Sequence, residues 1–244
     1  MAITRRGVSA SASSIAANDI TLTYPVTPNV GDVALIFVET AAQNVNTPSG
    51  YSISPGSPVS VGSPGVAGGT QLNIFQRVCD GTEGATVVVN SSSIDHKIGV
   101  VAVYSGCDTT TPVTASTGKT QTPASTTGST NTIASLAGDG SDHFLLCMAH
   151  DRDASSQSSA SSITWSNITM STNATVTNSF TASNSGGGLL VIEGTPSGDS
   201  TGAVSLSSIT ITSTIWASLL LRLNAAVPSS PFVAPNPMLP LLVR

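Results

Sequence analysis

Charge is the scarcest feature of this 244-residue chain: Asp, Glu, Lys and Arg make up 9% of it, against the ~25% usual for soluble domains. With eight basic and thirteen acidic residues and a net charge of -5, it has no basic stripe to displace counterions from a phosphate backbone. Nucleic acid is therefore excluded as a partner. Long apolar runs are also missing. Val33 to Val38 and Leu219 to Leu221 are short beside the ~18 to 20 residues of a membrane helix, so no membrane partner is expected. Gly7 to Ser14 is almost all small residues, which leaves no apolar core for a secretory signal. Cysteine is limited to Cys79, Cys107 and Cys147, odd in number and unclustered. That pattern suits neither a disulfide framework nor a zinc site and points to a reducing compartment.

Aromatic residues are few, at 4%. Most lie inside apolar strand patterns and belong to a core. Tyr51 and Trp165 stand nearest to loops and are the candidate loop contacts for a ligand. A mean hydropathy of +0.23 is nonetheless too high for a disordered chain, so it should fold.

Small hydroxyl side chains are abundant, with 39 Ser and 31 Thr, alongside 22 Gly and 14 Pro. This composition disfavours helix. Alternating or β-branched runs of about five to nine residues, bounded by Gly, Pro, Asn and Asp, recur to about position 223 and predict an all-β fold. The expected architecture is an antiparallel β-sandwich or jelly roll built from two pseudo-repeated halves. Gly7 to Ser11 answers to Pro112 to Ser116, Gly31-Asp32 with its apolar run to Ser141-Asp142 with its own, and Ile98 to Tyr104 to Trp216 to Arg222 or one residue either side. The halves are 1–107 and 108–224, packed as one body or two adjacent ones. Apolar runs such as Val33 to Val38 suit strands buried on both faces.

Two segments stand apart. Thr47 to Gly69, rich in Pro, Gly and Ser, is expected to be a long irregular loop. Residues 225–244 carry Pro228, Pro231, Pro235, Pro237 and Pro240 among Phe232, Val233, Met238, Leu239, Leu241, Leu242 and Val243. That pattern allows neither a strand ladder nor a long helix. Left in water the segment would expose a contiguous apolar surface, so it reads as an extended arm docking on a neighbouring subunit, or else as a strap over its own core.

Signatures of catalysis are thin. Gly118-Lys119-Thr120 ends like a phosphate loop, but Val113 stands where that loop requires Gly. His150-Asp151-Arg152-Asp153 is the densest polar cluster. Its two acids could bind a divalent cation with loop carbonyls, although a solvated turn explains them more simply. Asp95-His96 and Asp142-His143 read as turn residues at strand starts. No catalytic residue, metal or cofactor is expected.

The order Gly31-Asp32-Val33-Ala34-Leu35-Ile36, Thr47-Pro48-Ser49-Gly50-Tyr51, Phe75-Gln76-Arg77 and Ala102-Val103-Tyr104-Ser105-Gly106-Cys107-Asp108-Thr109 resembles a β-sandwich family of tailed-phage and prophage virion proteins. Tyr51 stands in place of that family's Trp, and Cys107 in place of its Val. The resemblance spans residues 7–223 and implies a non-enzymatic virion protein assembled in the bacterial host cytoplasm. A capsid decoration or cement protein anchored by its C-terminal arm is the first expectation, and a tail-fibre module recognising host surface glycans the alternative. The implied partners are the major capsid protein or a tail component and further copies of the chain, a trimer being the expected oligomer.

Overall fold

The computed structural model describes residues 2–62, 69–121, 136–138, 141–150, 168–179, 187–196 and 216–227. Within them the chain forms β1 (Thr4–Val8), β2 (Ala12–Ser14), β3 (Asp19–Thr23), β4 (Val33–Thr40), β5 (Ser52–Ile53), β6 (Val59–Val61), β7 (Thr70–Val78), β8 (Thr86–Asn90), β9 (Lys97–Ser105), β10 (Val113–Ala115), β11 (Lys119–Gln121), β12 (His143–His150), β13 (Ile168–Ser179), β14 (Gly188–Pro196) and β15 (Trp216–Leu223). No helix occurs among the described residues, and the strand pairs are antiparallel.

Two large sheets repeat one order. The first runs β1-β9-β4-β7-β5, with β2 also on β9 and β6 also on β7; the second runs β10-β15-β12-β14-β13, with β11 also on β15. Val33 faces Tyr104 across β4 and β9 as His143 faces Leu223 across β12 and β15. In this frame Asp32 answers to Asp142, as the sequence suggests. Gly7 opposes Val103, whereas Thr114 opposes Arg222, so Gly7 answers to Thr114 and not to Pro112. A register shift between Arg5 and Gly7 adds one residue to β1 that β10 does not have.

The inner faces of the two sheets share one apolar layer. Val33, Leu35 and Phe37 of β4 and Ile98, Val100 and Ala102 of β9 meet Leu145 and Cys147 of β12, Val191 of β14 and Leu219 and Leu221 of β15. The alternate residues of β4, Ala34, Ile36 and Val38, point the other way, onto Ile20, Leu22, Val87 and Val89 of the β3–β8 ribbon. All eight residues of β4 are consequently buried. This is why its sequence is a continuous apolar run, while β3 and β8, with one face in water, alternate buried and exposed residues.

The Thr47 to Gly69 excursion departs from expectation, because β5 and β6 lie within it and pair with β7. Both strands are two or three residues long, and the Pro and Gly around them hide a period that Val59-Ser60-Val61 does show, with its two valines buried and the serine exposed. The small-residue stretch Gly7 to Ser14 is divided between two strands. Between β1 and β2, Ser9 donates its N–H to the Val101 carbonyl at 2.9 Å, and its hydroxyl accepts from the Val101 N–H at 3.0 Å, so a side chain replaces part of the ladder.

Phe37 is fully buried in the shared layer. Phe37→Ala is expected to lower unfolding free energy by about 3–5 kcal/mol, read as a drop in the denaturant midpoint at unchanged slope.

Candidate functional site

The polar features of the described residues fall into two sealed clusters, two strand-entry pins and one open groove. The first cluster joins the sheets through Glu193 of β14, which is 2% exposed. The Tyr104 hydroxyl of β9 donates to Glu193 Oε1 at 2.5 Å, Arg5 Nη1 of β1 lies 3.2 Å from the same oxygen, and His143 Nε2 of β12 lies 3.3 Å from Oε2. The Tyr104 and His143 rings lie 6.0 Å apart, centroid to centroid. Burial alone would push the Glu193 carboxyl up, but the hydrogen bonds from His143 and Tyr104 and the nearby Arg5 hold it below the ordinary carboxylate range. Burial pushes the Tyr104 phenol well above its usual value, and the neighbouring carboxylate adds to that.

The second cluster centres on Glu39 of β4, which is fully buried. Thr70 Oγ1 donates to Glu39 Oε1 at 3.0 Å, and His96 Nε2 lies 3.0 Å from the same atom. Across the sheets, the Glu39 carboxylate fills the space that a Cβ on Gly187 would need, and within the second sheet the His150 ring does so at its strand partner Gly188. Two neighbouring glycines at the start of β14 are thus required by close approach rather than by backbone conformation. Each of His96 and His143 commits a ring nitrogen to a carboxylate inside the protein. Such an arrangement fixes strands and presents no group to a substrate.

Both Gly-Asp-type entries become pins. Asp32, 4% exposed, accepts from the Asn29 N–H at 2.7 Å and from the Arg6 guanidinium. Asp142 accepts from the Ala225 N–H at 3.0 Å and lies 3.6 Å from Arg222 Nε. Each aspartate, standing immediately before a central strand, ties that entry to another stretch of chain, Asp32 to Arg6 and Asp142 to the root of the C-terminal segment.

An open groove of about 300 Å³ runs between the β5–β7 edge and the connection joining the halves, lined by Tyr51, Gln76, Arg77, Thr109, Thr110 and Pro112 among others. Arg77 is braced by Glu83 at 2.9 Å and by Asp80 and Thr82 at 3.1 Å each. Its guanidinium lies against Gly50, which has a φ of +78° and no room for a Cβ. The Asp80 carboxyl is held down to about 2, chiefly by hydrogen bonds from Thr82.

Tyr51 is not an exposed platform. It is 9% exposed and packs in the core beneath the β3–β8 ribbon, with its hydroxyl 2.5 Å from that of Tyr24. Burial pushes its phenol up, so it borders the groove without offering a ring face for stacking. The reason is that Thr47-Pro48-Ser49-Gly50 turns the chain inward: the Tyr51 N–H bonds to the Pro48 carbonyl at 3.0 Å. Trp165, Asp151, Asp153 and the arm residues Phe232, Val233, Met238, Leu239, Leu241, Leu242 and Val243 lie outside the described residues. Cys79, Cys107 and Cys147 are buried free thiols. Burial raises Cys79 and Cys107 to about 12, which keeps them protonated and inert.

His96 and His143 do stand at strand starts, but they are buried partners of carboxylates and not solvated turn residues. The sequence did carry a signal for this. Glu39 follows the run Val33 to Val38 and Glu193 follows Leu189 to Ile192, and an acid at the end of a buried run must find a partner inside. Among the described residues no three His, Cys, Asp or Glu come together as a metal site. No protein-family model, curated protein or solved structure matches the chain.

The Glu193 cluster has a signed pH dependence. Because its folded-state pKa is lowered, the stability it contributes is complete above the ordinary carboxylate range and is lost as pH falls through the lowered value. Glu193→Gln should flatten that acid limb in thermal melts taken from pH 7 downward. Glu193→Ala, which strands Arg5 and the Tyr104 hydroxyl, is expected to cost about 3–5 kcal/mol at pH 7.

Proposed function

We propose that the chain is a non-enzymatic structural subunit of a tailed-phage particle, a capsid decoration or cement protein. In this reading the two sheets form a β-sandwich of two pseudo-equivalent halves, 1–107 and 108–224, and residues 225–244 anchor it to the particle. The observation that carries the reading is the way the chain leaves the body. Asn224 donates its N–H to the Pro112 carbonyl at 2.9 Å, Ala225 donates to Asp142 at 3.0 Å, and Ala226 donates to the Gly106 carbonyl at 2.9 Å. One residue later Val227 is 83% exposed.

A pinned root followed at once by an exposed apolar residue is what an anchor requires: a rigid base and a chain free to leave it. The sequence beyond supplies apolar side chains on a proline-rich backbone, suited to lying extended along another surface. The body supports the same role. Asp32, Asp142, Glu39 and Glu193 are spent on internal pins and ties, which favours a rigid block over a chemical centre. The partners proposed are the major capsid protein and further copies of this chain, assembled in the bacterial cytoplasm.

The test is truncation after Val227. The shortened chain should melt within a few degrees of the full chain and fail to join particles in a sedimentation assay with capsid shells. Aggregation, or a melting temperature far lower, would show that residues 228–244 are a strap on their own core. Gold labelling of intact particles separates decoration, with label spread over the shell, from the tail-fibre reading, with label confined to the tail.

A further inference from the structure

We infer that the groove beside the arm root receives the C-terminal arm of a second copy of the chain, so that neighbouring copies exchange arms. The inference rests on the anchoring role given above to residues 225–244 and adds the place where they land.

Position is the first argument. The groove wall at Thr109 to Pro112 is fastened to the arm root itself: Asp108 donates its N–H to the Asn224 carbonyl at 2.8 Å, and the Asn224 side chain donates to the Thr111 carbonyl at 2.5 Å. Root and groove therefore sit at the same end of the body. A neighbouring copy set about one body width away by a symmetry axis presents its own groove at that end, clear of the first copy's root.

Reach is the second. Beyond Val227 the sequence continues for 17 residues, and its densest apolar stretch, Met238 to Val243, lies at the far end. At roughly 3.1 Å per residue in an extended proline-rich conformation, that stretch begins about 35 Å from the root and ends about 50 Å away. A body of this length has a radius of gyration of about 17 Å and is roughly 45 Å across. An extended arm thus carries its apolar end about one body width away from its own groove, which starts at its root. It arrives within range of a neighbour's.

Chemical fit is the third. The arm has no charge before Arg244, and five of its residues are prolines, which keep a carbonyl acceptor but bring no N–H. The groove wall offers the exposed hydroxyls of Thr109 and Thr110 to such carbonyls, while Ser52 already donates to the Gln76 carbonyl at 3.4 Å and Arg77 is held by Glu83, Asp80 and Thr82. The rim is apolar. Val78 is 36% exposed, Ile53 on the adjoining β5 is 51% exposed and Val30 is 77% exposed. The Gly31 N–H, bonded to the Cys79 carbonyl at 2.8 Å, holds Val30 against Gly81, three residues beyond Val78.

The experiment uses the full chain. Thr110, an exposed wall residue, becomes Thr110→Cys in one tagged copy, and Leu241→Cys is placed in a second copy with a different tag. Mild oxidation of the mixture is expected to yield a disulfide joining the two tags, while the native thiols stay buried. In parallel, Thr110→Arg, which fills the groove from an exposed position, should shift sedimentation from an oligomer to the single chain of 24.4 kDa, as truncation after Val227 does. Persistence of the oligomer in Thr110→Arg overturns arm exchange, as does a crosslink formed only when both cysteines are on one chain. A full chain that runs as a monomer and is retained only on capsid shells assigns the arm to the capsid protein and also overturns it. Crosslinked copies that never join particles leave arm exchange standing and count against the virion reading alone.

Discussion

The apolar layer between the two sheets, with Leu35, Phe37 and Val100 on one side and Leu145, Val191 and Leu219 on the other, is the constraint on which everything else in this protein depends. A sheet with one apolar face must cover it, and a chain with 4% aromatic residues must do so with aliphatic side chains packed closely over a wide area. Repeating the strand order in both sheets gives two apolar faces, and each sheet supplies cover for the other. The first sheet is further covered on its outer side by the β3–β8 ribbon. Its central strand thereby becomes the most completely enclosed element of the described structure.

That enclosure explains where the rare charges go. A buried carboxylate is costly unless paired, and replacing a buried ion pair with apolar residues is often neutral for stability. Glu39 and Glu193 are therefore poor candidates for adding net stability. Their value lies in register. Glu193 meets Tyr104 and Arg5 from the facing sheet, and Glu39 fits against Gly187 only if β14 starts where it does. An aliphatic layer is tolerant of sliding, because one valine resembles the next. Two polar ties, one fixed by Glu39 and the other by Glu193, penalise any slip that unpairs them.

Much of this architecture can be read from the residues. β4 and β12 are legible because burial on both faces leaves an uninterrupted apolar run after an aspartate, and β3 and β8 because one wet face restores the alternation. β5 and β6 are not, since two or three residues between Pro and Gly carry too little period to register, and their pairing with β7 is decided by tertiary contact. The polar clusters were legible only in part. That Glu39 and Glu193 need buried partners follows from their place after apolar runs, but the identity of those partners, His96 and His143, depends on pairings across as many as 57 residues of chain. Tyr51 shows the opposite error: a position beside Pro, Ser and Gly suggests an exposed ring, yet the turn built by those residues is what directs it inward.

The same scarcity of charge bears on how such a body could associate. A surface rich in Ser and Thr and poor in Lys and Glu provides little long-range steering and little like-charge repulsion between copies, so specificity must come from shape and from short-range hydrogen bonds. A flat hydroxyl-covered face supplies both poorly. An extended segment laid in a groove supplies them well, because its conformation is limited by proline before it binds and less entropy is lost on docking. The pinning of Asn224, Ala225 and Ala226 completes that logic at the near end. In the proposed anchoring role, a fixed root is what gives the residues after it a set direction of departure.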